Sequence, residues 1–224
     1  MNNNYLSTLL ATDKYDRQNQ IVLKDRVYRT FDALLQHTGR RALQPGQHLL
    51  DLGSADGSLV EVAANNGLIA RGLDVTDNIN FETDALPIES GTIDIVTAVS
   101  LVEHLHSPAL MFSETLRVLK PGGAFILVTP NWRFSYREFF DDPTHVQPYT
   151  DRSIDFALNS AGFDHVLAVP WLVCKPSWMW TMPFAFQVAR AIPFRWSPNT
   201  WVPRVLTGKS KTILAIGIKP STQS

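Results

Sequence analysis

The sequence predicts an α/β fold with a doubly wound, mostly parallel sheet, and two observations support this prediction. Short apolar runs typical of buried strands alternate with longer segments in which apolar residues recur at helical spacing. The first apolar run ends in a small-residue turn, DLGSADG (51–57), where a strand meets a helix. Strands that alternate with helices of this length form parallel units with right-handed crossovers, and such units build a doubly wound sheet.

Each element has its own signal along the chain. The helix after the first strand begins at Leu59 and ends at Asn66-Gly67, a pair suited to a left-handed cap. Ser107 is predicted to cap a second helix with Pro108 at its first position, and KPGG (120–123) stops that helix. Strands are predicted at residues 49–52, 69–73, 93–99, 124–128, 164–169 and 212–218.

Two more helices complete the pattern. Thr150 is a predicted N-cap, and the helix that follows ends at Gly162. The run at 21–37 also has helical spacing, with Tyr28 predicted on one face and Val22 and Phe31 on another.

Composition limits the class of protein. A chain of 224 residues with 45% hydrophobic content buries a substantial core, and we expect one domain with an insertion. No apolar run reaches the roughly 18 residues of a membrane span, and no secretory leader is recognised. The single cysteine, Cys174, excludes an internal disulfide and a cysteine zinc site. We therefore expect a cytoplasmic protein.

Charge is distributed unevenly. The formal net charge is −1, yet the segment after Asp164 carries +7 and the rest of the chain −8. Five of the six tryptophans lie in the same basic segment, which places an aromatic, basic end on an acidic body.

The glycine turn at 51–57 predicts a ligand site at the carboxyl end of the sheet. Gly53 and Gly57 remove side chains where a ligand contacts the main chain, and Ala55 keeps the turn narrow. A tight turn without a ligand is the alternative interpretation. The glycine spacing does not fit a dinucleotide fingerprint, and the turn lacks the lysine of a P-loop.

The chain resembles the class I S-adenosylmethionine (SAM)-dependent methyltransferases through four ordered motifs. LLDLGSADGSLV (49–60) is similar to their first motif, and GLDVTD (72–77) to the acidic end of their second strand. FETDALPIESGTIDIVTAVSLVEHLHSP (81–108) resembles the adenine-binding and fourth-strand region, and TLRVLKPGGAFILVTPN (115–131) completes the set. The resemblance implies a Rossmann-like sheet with an antiparallel last strand and SAM as cofactor.

The resemblance also implies the cofactor contacts. Asp74 would bind the ribose hydroxyls, Asp84 the adenine amine, and Asp51 the methionine end of the cofactor. Asp74 as a surface turn acid and Asp84 as a simple loop cap are the alternatives. The expected cofactor-binding residues are Asp51, Gly53, Ala55, Gly57, Asp74, Val75, Asp84, Ala85, Leu86, Val99 and Ser100.

Two histidines are candidate catalytic residues on the acceptor side. His104, in VEHLH, follows the fourth strand of the family, and His145, in DPTHVQPYT, follows the fifth. His145, oriented by Asp141 or Asp142, would act as a base toward a hydroxyl acceptor. The alternatives are a loop-holding role for His104 and a carbonyl-bonded loop histidine at 145. Asp142 and His145 are too few ligands to specify a metal, so no metal is predicted.

The resemblance implies four regions in the chain. A helical lid (1–45) precedes a SAM-binding core (46–170), and a Trp- and Pro-rich cap insertion (171–210) precedes the final core strand (211–220). An ordinary packed helix is the alternative for the lid helix. The cap either roofs a soluble acceptor or makes peripheral contact with the inner face of a membrane through 171–204.

These observations predict an O-methyltransferase that acts on a hydroxyl of a small-molecule, sugar or lipid-linked acceptor. An RNA methyltransferase and a SAM-binding protein without transferase activity are the alternatives. The acidic body and the sequence AVSLVEH, in place of an Asn/Asp-Pro-Pro-aromatic motif, disfavour a nucleic-acid partner.

Overall fold

The computed structural model describes residues 16–39, 42–171, 182, 194–195 and 207–221. The helices are α1 (Arg17–His37), α2 (Ser58–Asn65), α3 (Ala109–Val118), α4 (Trp132–Ser135) and α5 (Asp151–Ala161). The strands are β1 (His48–Leu52), β2 (Ile69–Leu73), β3 (Ile93–Val99), β4 (Leu119–Pro130), β5 (Asp164–Pro170), β6 (Phe194–Arg195), β7 (Thr207–Lys209) and β8 (Thr212–Ile218).

Six strands form one sheet in the order β2-β1-β3-β4-β8-β5. The β1, β2, β3 and β4 pairings are parallel, and β8 runs antiparallel to both β4 and β5. The predicted doubly wound sheet with an antiparallel last strand is confirmed. Its parallel strands all end at one edge, where the loops of the candidate site lie.

The core consists of two apolar layers, one on each face of the sheet. Neighbouring strand residues alternate between the layers because successive side chains in a strand point to opposite faces. Leu49 packs in the layer that holds Phe31 of α1, and Leu50 packs in the layer that holds Phe112 of α3. Both faces of the central strands are therefore covered, as parallel sheets require.

Helix α1 packs into the core through its second half, between Val27 and Leu35. Phe31 is 1% exposed and Tyr28 is also buried, whereas Val22 is 52% exposed. The predicted faces were therefore wrong for Tyr28 and Val22. Residues 1–15 and 40–41 of the expected lid lie outside the described residues.

The helix caps confirm three of the predicted boundaries and correct one. Gly67 and Gly162 adopt left-handed conformations with φ of 87° and 99°, and Thr150 accepts a hydrogen bond from Ser153 N. Ser107 is not the N-cap of α3, because Pro108 occupies that position and Ser107 N donates to Glu82 Oε1 at 2.6 Å.

Strand β4 begins earlier than the sequence predicts. Leu119 pairs with Ile93 of β3, so the KPGG segment is incorporated into the strand rather than forming a loop. The pairing with β3 is irregular here, and Lys219 provides the backbone partners, since Gly122 N donates to Lys219 O and Lys219 N donates to Gly123 O, each at 2.9 Å.

The cap insertion lies mostly outside the described residues, including Trp178, Trp180 and Cys174. Its two ends meet at the sheet, where Trp171 N donates to Thr212 O at 2.9 Å. Strands β6 and β7 pair in a separate two-stranded sheet. Among the described helices, none has the length and hydropathy needed to cross a membrane.

Candidate active site

The glycine turn between β1 and α2 needs glycine for two different reasons. Gly53 and Gly57 have φ of 70° and 73°, a region that residues with a Cβ rarely adopt. A Cβ on Gly53 would also lie 3.1 Å from Leu101 Cδ1, whereas a Cβ on Gly57 would meet no atom within 4 Å. Ala55 shares this conformation with φ of 48°, although it carries a Cβ. Ala55 therefore holds a strained backbone conformation, and the turn is open beside Gly57.

Asp74 links the end of β2 to this turn. Its side chain is buried, and its Oδ2 accepts a hydrogen bond from Ala55 N at 2.9 Å. Its own N–H donates to Asp77 Oδ2 at 2.8 Å, and Val75 begins the short 3-10 turn that follows. Asp74 is thus a buried acid fixed against the glycine turn, which disagrees with the alternative of a surface turn acid.

Asp51 places a carboxylate inside the sheet. Within the described residues it receives one hydrogen bond, from Thr97 Oγ1 at 2.7 Å. Burial raises its pKa to about 6, while Thr97 and, more weakly, the charge of Lys24 act in the opposite direction. A buried carboxylate with so little compensation fits a ligand that brings a cation, such as an amino group.

Asp84 and its neighbours are arranged differently. Asp84 is exposed, and it accepts hydrogen bonds from Asn80 N at 2.8 Å and Thr83 Oγ1 at 2.9 Å. These bonds, that from Asn80 first, lower its pKa. Ala85 is exposed, whereas Leu86 is buried and its N–H donates to Glu114 Oε2 at 2.7 Å. The structure shows Asp84 as a loop cap, so its contact with adenine stays a prediction.

Val99 and Ser100 lie where β3 ends. Ser100 has φ of 56°, and its N–H donates to Val128 O of β4 at 2.8 Å. This bond turns the chain sharply toward residues 101–104. Val99 is half-buried and Ser100 is exposed, so both are accessible from the carboxyl edge of the sheet.

The two candidate histidines come together from different loops. Their ring centroids are 4.8 Å apart. His104 Nδ1 lies 3.1 Å from Thr144 O and 2.9 Å from Thr144 Oγ1, and His145 Nδ1 lies 2.6 Å from Phe139 O. Carbonyl oxygens only accept, so each Nδ1 carries the proton, and in the neutral ring Nε2 carries the lone pair.

The expected orienting carboxylates lie elsewhere. Asp142 Oδ2 is 3.9 Å from His145 Nε2, so it faces the reactive nitrogen rather than Nδ1. The carbonyl of Phe139 takes the orienting role, and Asp141 belongs to the short 3-10 turn that supplies this carbonyl. Burial lowers the pKa of His104, opposed mainly by its bond to Thr144.

Glu103 is a functional candidate that the sequence analysis missed. Its side chain is 0% exposed, Oε2 accepts from Thr129 Oγ1 at 3.0 Å, and Oε1 has no partner among the described residues. Its backbone carbonyl accepts from Val146 N at 2.9 Å and Gln147 N at 3.0 Å. Burial raises its pKa to about 7. The one sequence signal was an acid standing directly between the apolar Val102 and His104.

Aromatic side chains extend from the histidines to the surface. The Phe139 ring is 4.6 Å from the His145 ring, and Trp132 lies 5.3 Å from Phe139 and 5.6 Å from Phe140. Tyr136 and Phe140 are 46% and 58% exposed. This aromatic surface, formed by Trp132, Tyr136, Phe139 and Phe140, was not recognised from sequence because its members lie among charged residues.

Comparison with known proteins identifies the family. A family model described as "Methyltransferase domain" matches residues 15–168. The chain belongs to the class I SAM-dependent methyltransferases. It is 28% identical over 118 residues to a ubiquinone biosynthesis O-methyltransferase of Coxiella burnetii, an alignment that covers 45% of this chain and 50% of the relative. The chain thus spans about half the length of the curated relatives it matches.

Solved structures of methyltransferases share the fold. A SAM-dependent methyltransferase from Archaeoglobus fulgidus superposes with a TM-score of 0.62 at 16% identity, over 96% of this chain and all of the other. Phosphoethanolamine N-methyltransferase 2 of Haemonchus contortus, solved with SAM, superposes with a TM-score of 0.54 at 15% identity, over 96% of this chain and 60% of that one.

SAM is the cofactor of this methyltransferase, and the residues at the ends of β1 and β2 fit it. The glycine turn is open above Gly57, and buried Asp51 lacks a cationic partner of its own within hydrogen-bonding distance among the described residues. Asp74 presents a carboxylate fixed by the backbone of the same turn. A separate cavity of about 370 Å³ lies at the opposite edge of the sheet, lined by Thr38, Asp94 and His165 among others, and contains none of these residues.

Proposed function

We propose that this methyltransferase methylates a hydroxyl group of a small-molecule, sugar or lipid-linked acceptor that binds beside His104 and His145. The observation that carries the proposal is the pair of imidazoles whose Nδ1 atoms are both engaged by Thr144 or Phe139 carbonyls. Each ring therefore offers Nε2 as a base at the carboxyl edge of the sheet, next to the cofactor residues.

In this proposal the residues of the chain align the acceptor hydroxyl with SAM and remove its proton. Bound SAM supplies a methyl group on a positively charged sulfur, and the acceptor oxygen forms the new C–O bond as the C–S bond breaks. The hydroxyl proton passes to His145 Nε2, and the carboxylate of Asp142, 3.9 Å from that atom, stabilises the resulting imidazolium. His104 lies beside it and completes the polar wall of the acceptor site.

The aromatic surface supports an acceptor with an apolar portion. Tyr136 and Phe140 are exposed next to the histidines, and exposed aromatic rings bind apolar or ring-containing ligands. The relative named for ubiquinone biosynthesis agrees with O-methylation of such a molecule. We propose no nucleic-acid partner, since the acidic body opposes phosphate binding.

The regions flanking the core are proposed to enclose the site. Arg17, at the start of α1, donates to Asp56 O at 3.0 Å and pairs with Glu61 at 2.6 Å. These contacts tie the start of α1, within the lid region (1–45), to the glycine turn and to α2. The contacts of Asp74, Asp84, Ala85, Leu86, Val99 and Ser100 with the cofactor belong to the same proposal.

We also propose a cytoplasmic location, with the cap insertion in peripheral contact with the inner membrane face through 171–204. Co-sedimentation with anionic vesicles at low and high salt tests this contact. Salt-sensitive binding that is lost when Trp178, Trp180 and Arg195 are changed to Ala would support docking. Absence of binding at both salt concentrations would leave only a roofing role.

Methyl-labelled SAM, incubated with the protein and a cell extract, tests the proposed function. The extract is then separated into lipid, polar small-molecule, RNA and protein fractions, and the labelled product is analysed by mass spectrometry. We expect the label on oxygen in the lipid or small-molecule fraction. Label in the RNA fraction would mean that the acceptor is RNA. SAM binding without label in any fraction would indicate a SAM-binding protein without transferase activity.

A further inference from the structure

We propose that Glu103, His104 and His145 form a binding site for one divalent first-row transition cation, of the class of Mn²⁺, Fe²⁺, Co²⁺ or Zn²⁺. The cation would act on the acceptor hydroxyl, so this role rests on the proposed function. The binding site itself rests only on the geometry of the three side chains.

The three candidate ligand atoms converge. One carboxylate oxygen and one nitrogen from each histidine all lie within 4.8 Å of one another. Ligand atoms bound about 2.1 Å from one ion lie about 3 to 4 Å from one another. Side-chain rotations that move the three ligand atoms by about an ångström would therefore bring them to binding distance. Two imidazoles and one carboxylate suit first-row transition cations, whereas Mg²⁺ and Ca²⁺ prefer sites made of oxygen alone.

The hydrogen bonds around the site engage Nδ1 of each histidine and leave Nε2 as the ring nitrogen that can bind a cation. Metal-binding histidines usually donate the second ring N–H to a carbonyl or carboxylate, which fixes the tautomer. Both rings do this, toward Thr144 O and Phe139 O. Thr144 Oγ1 also donates to Asp142 Oδ1 at 2.6 Å, which holds the His104 partner in place.

Glu103 provides evidence for an ion position that the two histidines alone do not provide. Its Oε1 is buried and makes no hydrogen bond of ordinary geometry among the described residues, while Oε2 is held by Thr129. The Ser100 side chain lies near enough to lower the pKa of Glu103, but burial outweighs this effect. Buried carboxylate oxygens are seldom left without a partner, and an unfilled ion position is one cause of such an atom. The Glu103 carbonyl also fixes Val146 and Gln147, so the loop that carries His145 is anchored to the loop that carries His104.

The arrangement leaves coordination positions open. Three protein ligands with further positions free are typical of catalytic rather than structural metal sites. An oxygen that binds such a cation loses its proton more readily, by the effect that lowers the pKa of bound water to about 7. The O–H bond of the acceptor would then break with its electron pair kept on oxygen. The proton would pass to Asp142 and on to water, and the imidazoles would act through the cation instead of as free bases.

Cobalt titration of tag-free, chelator-treated protein tests the site directly. We expect one Co²⁺ per chain, seen by calorimetry and visible absorption, with Kd in the micromolar range or below. Glu103→Gln, which keeps the side-chain shape, and His145→Ala should each weaken binding at least about tenfold. His106→Ala is the matched control, because His106 is an exposed histidine two residues from His104, and it should bind Co²⁺ as the wild type does.

Circular dichroism confirms that each variant is folded before titration. If His145→Ala fails to fold, the isosteric Glu103→Gln variant decides the question. No saturable binding by the wild type below about 1 mM, or equal affinity in wild type and Glu103→Gln, would overturn the proposal.

A methyl-transfer assay with and without chelator separates this proposal from the proposed function. Transfer that is lost on chelation and restored by a transition cation supports both. Transfer that is insensitive to chelation, with no Co²⁺ binding, overturns the metal site and leaves His145 as a base. Co²⁺ binding without any methyl transfer supports the metal site and contradicts the proposed function.

Discussion

The carboxyl edge of the sheet has two halves that are built in opposite ways. The cofactor half, at the ends of β1 and β2, is held by contacts within one strand–turn–helix unit and its neighbouring strand, such as those of Gly53 N with Leu73 O and Ala55 N with Asp74 Oδ2. The acceptor half, at the ends of β3 and β4, is assembled from separate loops that are joined by contacts such as that of Val146 N with Glu103 O, and it contains the buried Glu103 Oε1. The contacts of the cofactor half thus lie close together in the sequence, whereas the acceptor half depends on loops that only the fold brings together. Each half contains a buried carboxylate, Asp51 or Glu103, that a bound group would compensate.

The largest expected effect belongs to the acceptor half. His145→Ala should reduce methyl transfer by at least about 100-fold, because the group that acts on the acceptor proton is removed. SAM affinity should change by less than about twofold, since no backbone contact of the cofactor half is touched. Turnover measured beside calorimetric SAM binding checks this.

His106→Ala is the control, as in the metal titration, and should leave both quantities unchanged. A parallel loss of SAM binding and turnover in a folded His145→Ala variant would show that the two halves are not independent.

A smaller effect is expected for Asp74→Ala in the cofactor half. SAM affinity should fall about tenfold or more, since about 1.5 to 3 kcal/mol of charged hydrogen bonding is lost. The exposed Asp84 provides the comparison, and Asp84→Ala should weaken SAM by about threefold. Calorimetry on the two variants decides their order. A greater loss of SAM affinity in Asp84→Ala than in Asp74→Ala would mean that the main cofactor contact lies in the loop after β2.

The same contrast explains what the sequence could predict. The glycine turn and Asp74 were recognised because their contacts lie within one strand–turn–helix unit and its neighbouring strand. Glu103 was not, because its importance comes from Thr129 and His145, which only the fold brings near it. The grouping of α1 residues into two faces was wrong at Tyr28 and Val22, since Tyr28 packs in the same apolar layer as Phe31 whereas Val22 is exposed.

Asp51 offers a pH test of the cofactor half. The groups that set its pKa are the Thr97 hydroxyl, Lys24 of α1, and the carboxylates of Asp74 and Asp56, in addition to burial. Because the pKa is raised from 3.8 to about 6, protonation below pH 6 should remove the partner of the cofactor's amino group and weaken SAM binding. Asp51→Asn should abolish this pH dependence. If SAM affinity depends on pH in Asp51→Asn as it does in the wild type, Asp51 is not part of the cofactor site.

The free energy of unfolding should change with pH in the direction opposite to SAM affinity. A carboxyl whose folded pKa lies above its unfolded value destabilises the fold as pH rises from about 4 to about 6, and the cost is complete above that range. The unligated Asp51→Asn variant should therefore be more stable than wild type at pH 7, by on the order of 2 to 3 kcal/mol. Denaturant unfolding without cofactor measures the difference, and equal stability at pH 5 and pH 7 in wild type would contradict this sign.

The smallest expected effect concerns the backbone strain of the cofactor half. Ala55 is exposed with φ of 48°, a conformation that costs a residue with a Cβ roughly 1 to 2 kcal/mol relative to glycine. Ala55→Gly relieves this strain but loosens the unfolded chain, so we expect a net gain in unfolding free energy of about 0.5 to 1 kcal/mol. SAM affinity should stay within about twofold, because Ala55 contacts Asp74 through its backbone N–H, which glycine keeps. Denaturant unfolding and calorimetry together check the prediction. A loss of stability in Ala55→Gly would mean that the methyl group of Ala55 packs usefully in the turn, and the cofactor half would then depend on side-chain contacts as the acceptor half does.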